Sequence, residues 1–98
     1  IAQRIAWTNG WHILFHDATV YQLRNEHDLL KDFQGEIPGY LNSGKICGEL
    51  QALELKAGTP YIYENMEHCY RAFIKHGLID EAELSLLDAW INDCARIL

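Results

Sequence analysis

The chain has 98 residues and a formal net charge of −6, and this length is typical of a single domain. Hydrophobic residues make up 49% of it and charged residues 22%, a composition that excludes an intrinsically disordered protein. Fourteen acidic residues against eight scattered basic ones disfavour nucleic-acid binding, which requires clustered Lys and Arg side chains.

The sequence shows no sign of secretion or of membrane insertion. No apolar run approaches the roughly 18–20 residues that a membrane-spanning helix needs, and the first residues lack the apolar core of a signal peptide. Cys47, Cys69 and Cys94 are an odd number of cysteines without a C-x-x-C pair. We therefore expect a cytoplasmic protein with free thiols and no disulfide bond.

The first predicted element is a β-hairpin over residues 3–15, with its turn at Asn9-Gly10. An Asn-Gly pair is a strong local signal for a hairpin turn. A three-residue loop with Gly10 in the left-handed conformation gathers the large apolar side chains on one face, whereas a two-residue loop divides them between both faces. We therefore expect Trp7 and Trp11 to share a face and to be largely buried.

The next predicted elements are a strand and a short helix. Residues 18–23 have the β-branched content of a third strand. A helix is predicted over 26–34, because Asn25 can cap its first turn and Gly35 can end it. Residues 36–41 contain a Pro-Gly pair and are predicted as a loop.

Residues 43–57 fit two structures. A helix would place four apolar side chains on one side and would stop at Gly58; these are Ile46, Leu50, Leu53 and Ala57. A strand would need a bulge, because the apolar alternation changes phase near Leu53. Gly48 weakens a helix interior, but the helix remains the favoured alternative.

The most regular pattern predicts a helix over about 60–76. Thr59 can cap it, and Pro60 suits its first position, where the missing N–H costs nothing. At its other end His76 suits the negative pole of the helix dipole, and Gly77 suits a left-handed terminator. The side chains expected to be buried are Ile62, Met66, Cys69, Tyr70 and Phe73.

A last helix is predicted over about 81–97, with Asp80 as its cap. Its main apolar stripe consists of Leu84, Leu87, Ile91, Cys94 and Leu98. The short link between the last two helices predicts an antiparallel helical hairpin. The fold class predicted for the single domain 1–98 is α+β: an antiparallel β-hairpin of two or three strands, followed by three to four helices.

Few residues combine into a pattern that indicates catalysis or metal binding. His12 and His16 have H-x-x-x-H spacing, but four residues of a strand span about 13 Å, too far to share one metal ion. His16 and Asp17 form the nearest thing to an acid–base pair, although adjacent side chains on a strand point in different directions. No glycine-rich phosphate-binding motif is present. We predict no metal site and no cofactor.

The neighbours His68 and Cys69 could in principle form a base and a nucleophile. On a helix their side chains diverge by about 100°, which puts Cys69 on the apolar stripe and His68 among charged residues. We expect a buried thiol and a surface imidazole that do not act together.

The last helix is apolar around nearly half of its circumference, because Leu86, Trp90 and Ile97 form a second ridge beside the main stripe. A surface helix needs an apolar stripe only somewhat wider than about 100°. The helix is therefore either central in the fold or in contact with another chain. The tryptophan favours the partner, and we predict these three residues as a partner-binding ridge.

Three functional classes follow from these patterns. The favoured one is a small acidic interaction domain without catalytic activity, either a homo-oligomer or an inhibitor- or immunity-type binder of another protein. The alternative is a small acid–base or hydrolytic enzyme that uses His16 and Asp17 in a cleft shared between subunits. A nucleic-acid-facing regulator is disfavoured by the negative charge. The predicted partner is a protein or a second copy, and neither nucleic acid nor membrane.

Overall fold

The computed structural model describes residues 1–97, and its regular structure is helical. The elements are α1 (Ala2–Thr8), α2 (Leu29–Ala52), a 3-10 turn (Thr59–Tyr61), α3 (Ile62–Lys75) and α4 (Ala82–Ile97). No strand occurs in the described part of the chain. The predicted α+β fold class is therefore wrong. None of the described helices is long and apolar enough to cross a membrane.

The predicted β-hairpin is replaced by α1 and an irregular segment. The amide of Trp11 donates to the carbonyl of Ala6 (2.9 Å) and that of Gly10 to Trp7 (3.1 Å), and Gly10 has φ 68°. This is the hydrogen-bond pattern of a Schellman helix terminus. Trp7 and Trp11 are 58% and 44% exposed, so their predicted burial on one hairpin face is wrong.

Residues 11–28 form neither strand nor helix, and all of them are exposed. The third strand predicted at 18–23 is therefore wrong. A strand needs a neighbour that accepts and donates its backbone hydrogen bonds, and once residues 2–8 are helical that neighbour is missing. β-branched content alone cannot supply it.

Helix α2 begins three residues later than predicted. The Asp28 carboxylate accepts hydrogen bonds from the amides of Leu30 (3.0 Å) and Lys31 (3.3 Å), which is the usual geometry of a helix N-cap. The cap is therefore Asp28, whereas the sequence analysis assigned it to Asn25.

The same helix continues without a break to Ala52, through Gly35 and Pro38. The predicted stop at Gly35 and the predicted loop over 36–41 are wrong. Pro38 has no amide to donate to the carbonyl four residues before it, but this stretch is exposed and water can hydrate that carbonyl. Of the two structures considered for 43–57, the helix is correct as far as Ala52.

The two C-terminal helices lie close to where the sequence places them, but the predicted cap of α3 is wrong: Thr59 and Pro60 belong to the 3-10 turn, and no side chain caps the start of α3 at Ile62. Gly77 has φ 65°, and the amide of Leu78 donates to Phe73 at 2.8 Å, so α3 ends as predicted. The Asp80 carboxylate accepts from the amide of Ala82 at 2.8 Å and caps the start of α4.

Helix α3 is the centre of the fold and contacts α1, α2 and α4. The buried side chains are Ile5, Asn65, Cys69, Phe73 and Leu87. Cys69 is buried and His68 exposed, as expected for neighbours on one helix. The amide side chain of Asn65 joins α3 to the preceding segment: it accepts from the amide of Lys56 (3.0 Å) and donates to the same residue's carbonyl (2.8 Å).

Candidate functional site

A groove of about 340 Å³ runs between the second half of α2 and α3. Its lining residues are Glu49, Leu53, His68, Arg71, Ala72, Lys75 and His76. The residues of α3 and its cap recur at intervals of three and four, which places them on one side of the helix. Two packed helices therefore hold the groove's polar side chains.

A histidine and a carboxylate are paired in this groove. His76 Nε2 lies 2.9 Å from Glu49 Oε2, and both side chains are about one-third exposed. Lys45 Nζ also donates to the backbone carbonyl of His76 at 2.9 Å. The imidazole is therefore held by α2 through both its ring and its backbone, while it remains open to solvent. A carboxylate that orients a histidine is a typical arrangement for general-base catalysis.

The rest of the polar lining consists of His68 and the two cationic side chains Arg71 and Lys75. Two of the chain's eight Lys and Arg residues and two of its five histidines line the groove, together with a single carboxylate. Arg71 is oriented by Glu67, whose Oε1 accepts from Nε at 2.8 Å and from Nη2 at 2.6 Å. Arg71 and Lys75 thus line the groove together with the Glu49 carboxylate, while the Glu67 carboxylate pairs with Arg71.

A larger hollow of about 770 Å³ lies at the start of α2. Its lining residues are Arg24, His27, Asp28, Lys31, Asp32, Gly35 and Glu36. All of them are exposed, and they belong to one helix and the irregular segment before it. Because no second packed element fixes these side chains, the smaller groove between α2 and α3 is the better candidate.

The family comparison adds a direct indication of function. A sequence model of the family described as STELLO glycosyltransferases matches residues 1–98. The chain belongs to the STELLO glycosyltransferase family. No curated protein and no solved structure matches it. Membership of this family overturns the prediction of a non-catalytic interaction domain and supports a role related to glycosyl transfer.

The STELLO-family chain does not hold His16 and Asp17 in the candidate groove. Both are exposed in the segment between α1 and α2. His16 Nδ1 lies 2.6 Å from the backbone carbonyl oxygen of Asp17, so the contact involves the backbone and not the carboxylate. His12 is also exposed in this segment.

The predicted ridge on α4 is exposed at each of its three positions. Leu86 is 63% exposed, Trp90 49% and Ile97 84%. The ring of Trp90 stands edge-on to Tyr63, with 6.1 Å between centroids and 83° between planes, so half of the indole belongs to the chain's own packing. Partner binding by this ridge stays a prediction.

Sequence reasoning missed the pairing of Glu49 with His76. In the sequence, the helix dipole alone accounts for His76, and Glu49 lies inside a segment that fits either a helix or a strand. The two residues are 27 positions apart, and only the path of α2 along α3 brings them together. The one available signal was the helical alternative for 43–57, which puts Lys45 and Glu49 one turn apart.

Proposed function

We propose that this STELLO-family chain contributes a substrate-binding groove and a general base to a glycosyltransferase. The observation that carries the proposal is the 2.9 Å contact between His76 Nε2 and Glu49 Oε2 in a groove that Arg71 and Lys75 also line. Family membership supplies the class of reaction, and the groove supplies groups suited to it.

Glycosyl transfer requires the removal of one proton. The oxygen of an acceptor hydroxyl forms a bond to the anomeric carbon of the donor sugar, and the bond from that carbon to the leaving group breaks. The leaving group departs with the electron pair, while the hydroxyl proton passes to a base. Histidine suits this role because its ordinary pKa lies close to neutral pH. With Nε2–H donating to Glu49, His76 has Nδ1 to accept the proton, and the carboxylate stabilises the imidazolium that forms.

The cationic side chains suit the leaving group of the reaction. A phosphate leaving group gains negative charge as the bond to the sugar breaks. Arg71 and Lys75 lie on the same side of α3 as His76, and such side chains bind phosphate oxygens through charge-assisted hydrogen bonds. The groove therefore offers a base and cations for an activated sugar with a phosphate-type leaving group.

The test measures release of nucleoside diphosphate from a panel of nucleoside diphosphate sugars, with simple glycosides as acceptors, in the protein that carries this chain. His76→Gln keeps much of the side chain's shape but removes the base. We expect it to lower kcat by about 10²–10⁴-fold, the usual contribution of a positioned general base. Glu49→Gln should lower kcat less, because the imidazole stays in place without its charged partner.

The matched control is His16→Gln, the same substitution at an exposed histidine outside the groove. It should leave kcat unchanged. Full activity of His76→Gln, or a loss confined to His16→Gln, would contradict the assignment of the base to this groove.

A further inference from the structure

A cavity of about 160 Å³ lies between α1 and the second half of α2, and it is more enclosed than the groove between α2 and α3. The residues that line it include Gln3, Arg4 and Trp7 of α1 and Cys47, Leu50 and Gln51 of α2. We call it the α1–α2 cavity. Pockets for drug-sized ligands measure about 300–1,000 Å³, so this cavity suits a small ligand of about one ring.

The two helices that form the cavity are positioned by the rest of the fold. Both α1 and α2 pack on α3, and a space remains between them. Arg4 bridges this space, because its Nε donates to the carbonyl of Leu50 and its Nη2 to that of Leu53, each at 2.8 Å. The cavity is therefore already formed before a ligand arrives, which lowers the entropic cost of binding.

The lining of the α1–α2 cavity favours an uncharged ligand. Arg4 is the only charged side chain among the described residues that line it. Its guanidinium already binds two carbonyls at the end of α2 and the hydroxyl of Thr8, and these carbonyls carry the negative pole of the helix dipole. The described lining therefore offers a phosphate or a carboxylate no free cationic side chain, whereas Arg71 and Lys75 line the groove between α2 and α3.

The other side chains of the cavity match the two kinds of surface on a sugar ring. Trp7 is 58% exposed, and the electron-rich face of an indole attracts the slightly positive C–H groups on one face of a pyranose. Gln3 and Gln51 are also exposed, and each amide offers both donors and an acceptor to the hydroxyl groups around the ring. An apolar wall with a few polar groups beside it is the usual composition of a small-molecule site.

We propose that the α1–α2 cavity binds one uncharged sugar residue of a saccharide, with the C–H face of the sugar on Trp7 and its hydroxyl groups on Gln3 and Gln51. The match to a family of glycosyltransferases supports a saccharide over other small polar ligands, because an acceptor hydroxyl is one of the two reactants in glycosyl transfer.

This site is separate from the groove to which the general base is assigned. Around α2, the three residues that line the cavity are centred roughly 130° from Glu49 and Leu53, which line the groove. The proposal therefore goes beyond the proposed function, and a sugar can bind in the cavity whether or not His76 acts as a base.

Ligand-observed NMR of the full chain tests the proposal, with the methyl glycosides of glucose, galactose, mannose and xylose as probes. We expect saturation transfer to at least one glycoside, with a Kd on the order of 1 mM, which is usual for a ligand of about a dozen non-hydrogen atoms. His76→Gln should bind that glycoside as the wild type does. If no glycoside binds the wild type at about 100 times that concentration, the proposal is wrong, whatever the effect of His76→Gln on kcat.

Two substitutions remove groups that are assigned to the sugar. Trp7→Ala should weaken the affinity for the glycoside by about tenfold or more, whereas Trp11→Ala, at an exposed tryptophan that does not line the cavity, should not. Gln51→Ala should weaken it by about two- to tenfold, and Gln34→Ala, on the first half of α2, is its matched control. Circular dichroism establishes that each variant keeps the helical content of the wild type. Unchanged affinity in both Trp7→Ala and Gln51→Ala overturns the proposal.

The thiol of Cys47 shows whether the glycoside occupies this cavity. A glycoside at about ten times its Kd should slow the alkylation of Cys47 by iodoacetamide by up to about tenfold, while Cys94, which does not line the cavity, should react at its usual rate. Protection of Cys47 by uridine diphosphate or by benzene, without protection by any glycoside, overturns the proposal. So does glycoside binding that leaves the alkylation of Cys47 unchanged.

Discussion

Two polar side chains, Asn65 and Arg4, join separate elements of the fold through hydrogen bonds to backbone groups. Asn65 is 1% exposed, and its amide pairs with both backbone groups of Lys56. The side-chain oxygen accepts a hydrogen bond from the Lys56 amide, and the side-chain nitrogen donates one to the Lys56 carbonyl. The side chain thus pairs with the backbone of Lys56 as a residue on a neighbouring β-strand would. Because both polar atoms are satisfied, this buried amide stabilises the fold, whereas an unpaired one would destabilise it.

Replacing Asn65 by Ala should therefore be costly. The substitution leaves the two backbone groups of Lys56 without their partner and leaves a void in α3's buried face. We expect the free energy of unfolding to fall by about 2–3 kcal/mol, measured by urea denaturation.

The neighbouring Glu64 provides the control for this measurement. Its carboxylate lies 2.7 Å from Lys56 Nζ at the surface, and that hydrogen bond lowers the pKa of Glu64 and raises the pKa of Lys56. Such an exposed pair contributes little to stability. Glu64→Gln should leave the urea midpoint almost unchanged, and a loss equal to that of Asn65→Ala would contradict the role given to Asn65.

Arg4 caps the end of α2 from another helix. Its Nε donates to the carbonyl of Leu50 and its Nη2 to that of Leu53, each at 2.8 Å. Carbonyls in the last turn of a helix have no partner within the helix, and a cation there also offsets the negative pole of the helix dipole. The guanidinium thereby ties α1 to α2.

Arg4→Lys should loosen this end of α2 although the charge is kept. A single ammonium cannot reproduce the planar fork that reaches two carbonyls. We expect a loss of about 1–2 kcal/mol, with faster hydrogen exchange of the last amides of α2. Arg96→Lys, at an exposed residue 3.7 Å from Asp93, should change neither quantity; unchanged exchange in Arg4→Lys would show that the cap is dispensable.

At the scale of elements, two glycines show how far the sequence determines local structure. Gly10 and Gly77 have nearly the same φ, 68° and 65°, and each ends a helix with the same pair of hydrogen bonds. The terminus at Gly77 was predictable because a long amphipathic pattern precedes it. Only about two turns of helix precede Gly10, too few to establish a period, and its Asn-Gly pair equally favours a hairpin.

Helix α2 shows the opposite limit. Gly35 and the Pro38-Gly39 pair are signals that usually end a helix, and they therefore predict a helix end and a loop at these positions. The helix continues through these residues because its first half is exposed, so that water can hydrate the carbonyl that Pro38 leaves without an amide donor. The local sequence shows that a proline removes one hydrogen bond from a helix. It does not show whether water or another group satisfies the carbonyl that is left free.

At the scale of the whole molecule, the groove was not predictable, because it depends on how the second half of α2 packs along α3. Glu49 meets His76 only if the helix runs past Gly48 and lies along α3. A chain divided into a hairpin and short helices gives no reason to place these two side chains together. Of the α3 residues that line the groove, His68, Arg71 and Lys75 were nevertheless placed on the polar side of that helix, away from its buried stripe.

The three cysteines differ in how far the packing of the chain covers their thiols. Cys47 is exposed, Cys94 is partly covered and Cys69 is fully buried at the centre of α3. Burial also raises the pKa of the Cys69 thiol, because an apolar environment disfavours the thiolate. Since the thiolate is the reactive form, the raised pKa and the burial of the Cys69 thiol both lower its reactivity.

Alkylation with iodoacetamide, followed by mass spectrometry of the peptides, should therefore label Cys47 first, Cys94 more slowly and Cys69 only after the chain opens. Labelling of Cys69 should stay limited by opening of the fold. In concentrated guanidinium all three should react at similar rates, which provides the control. If Cys69 reacts as fast as Cys47 in the native protein, α3 is not the buried centre of this fold, and the groove that depends on its packing against α2 loses its basis.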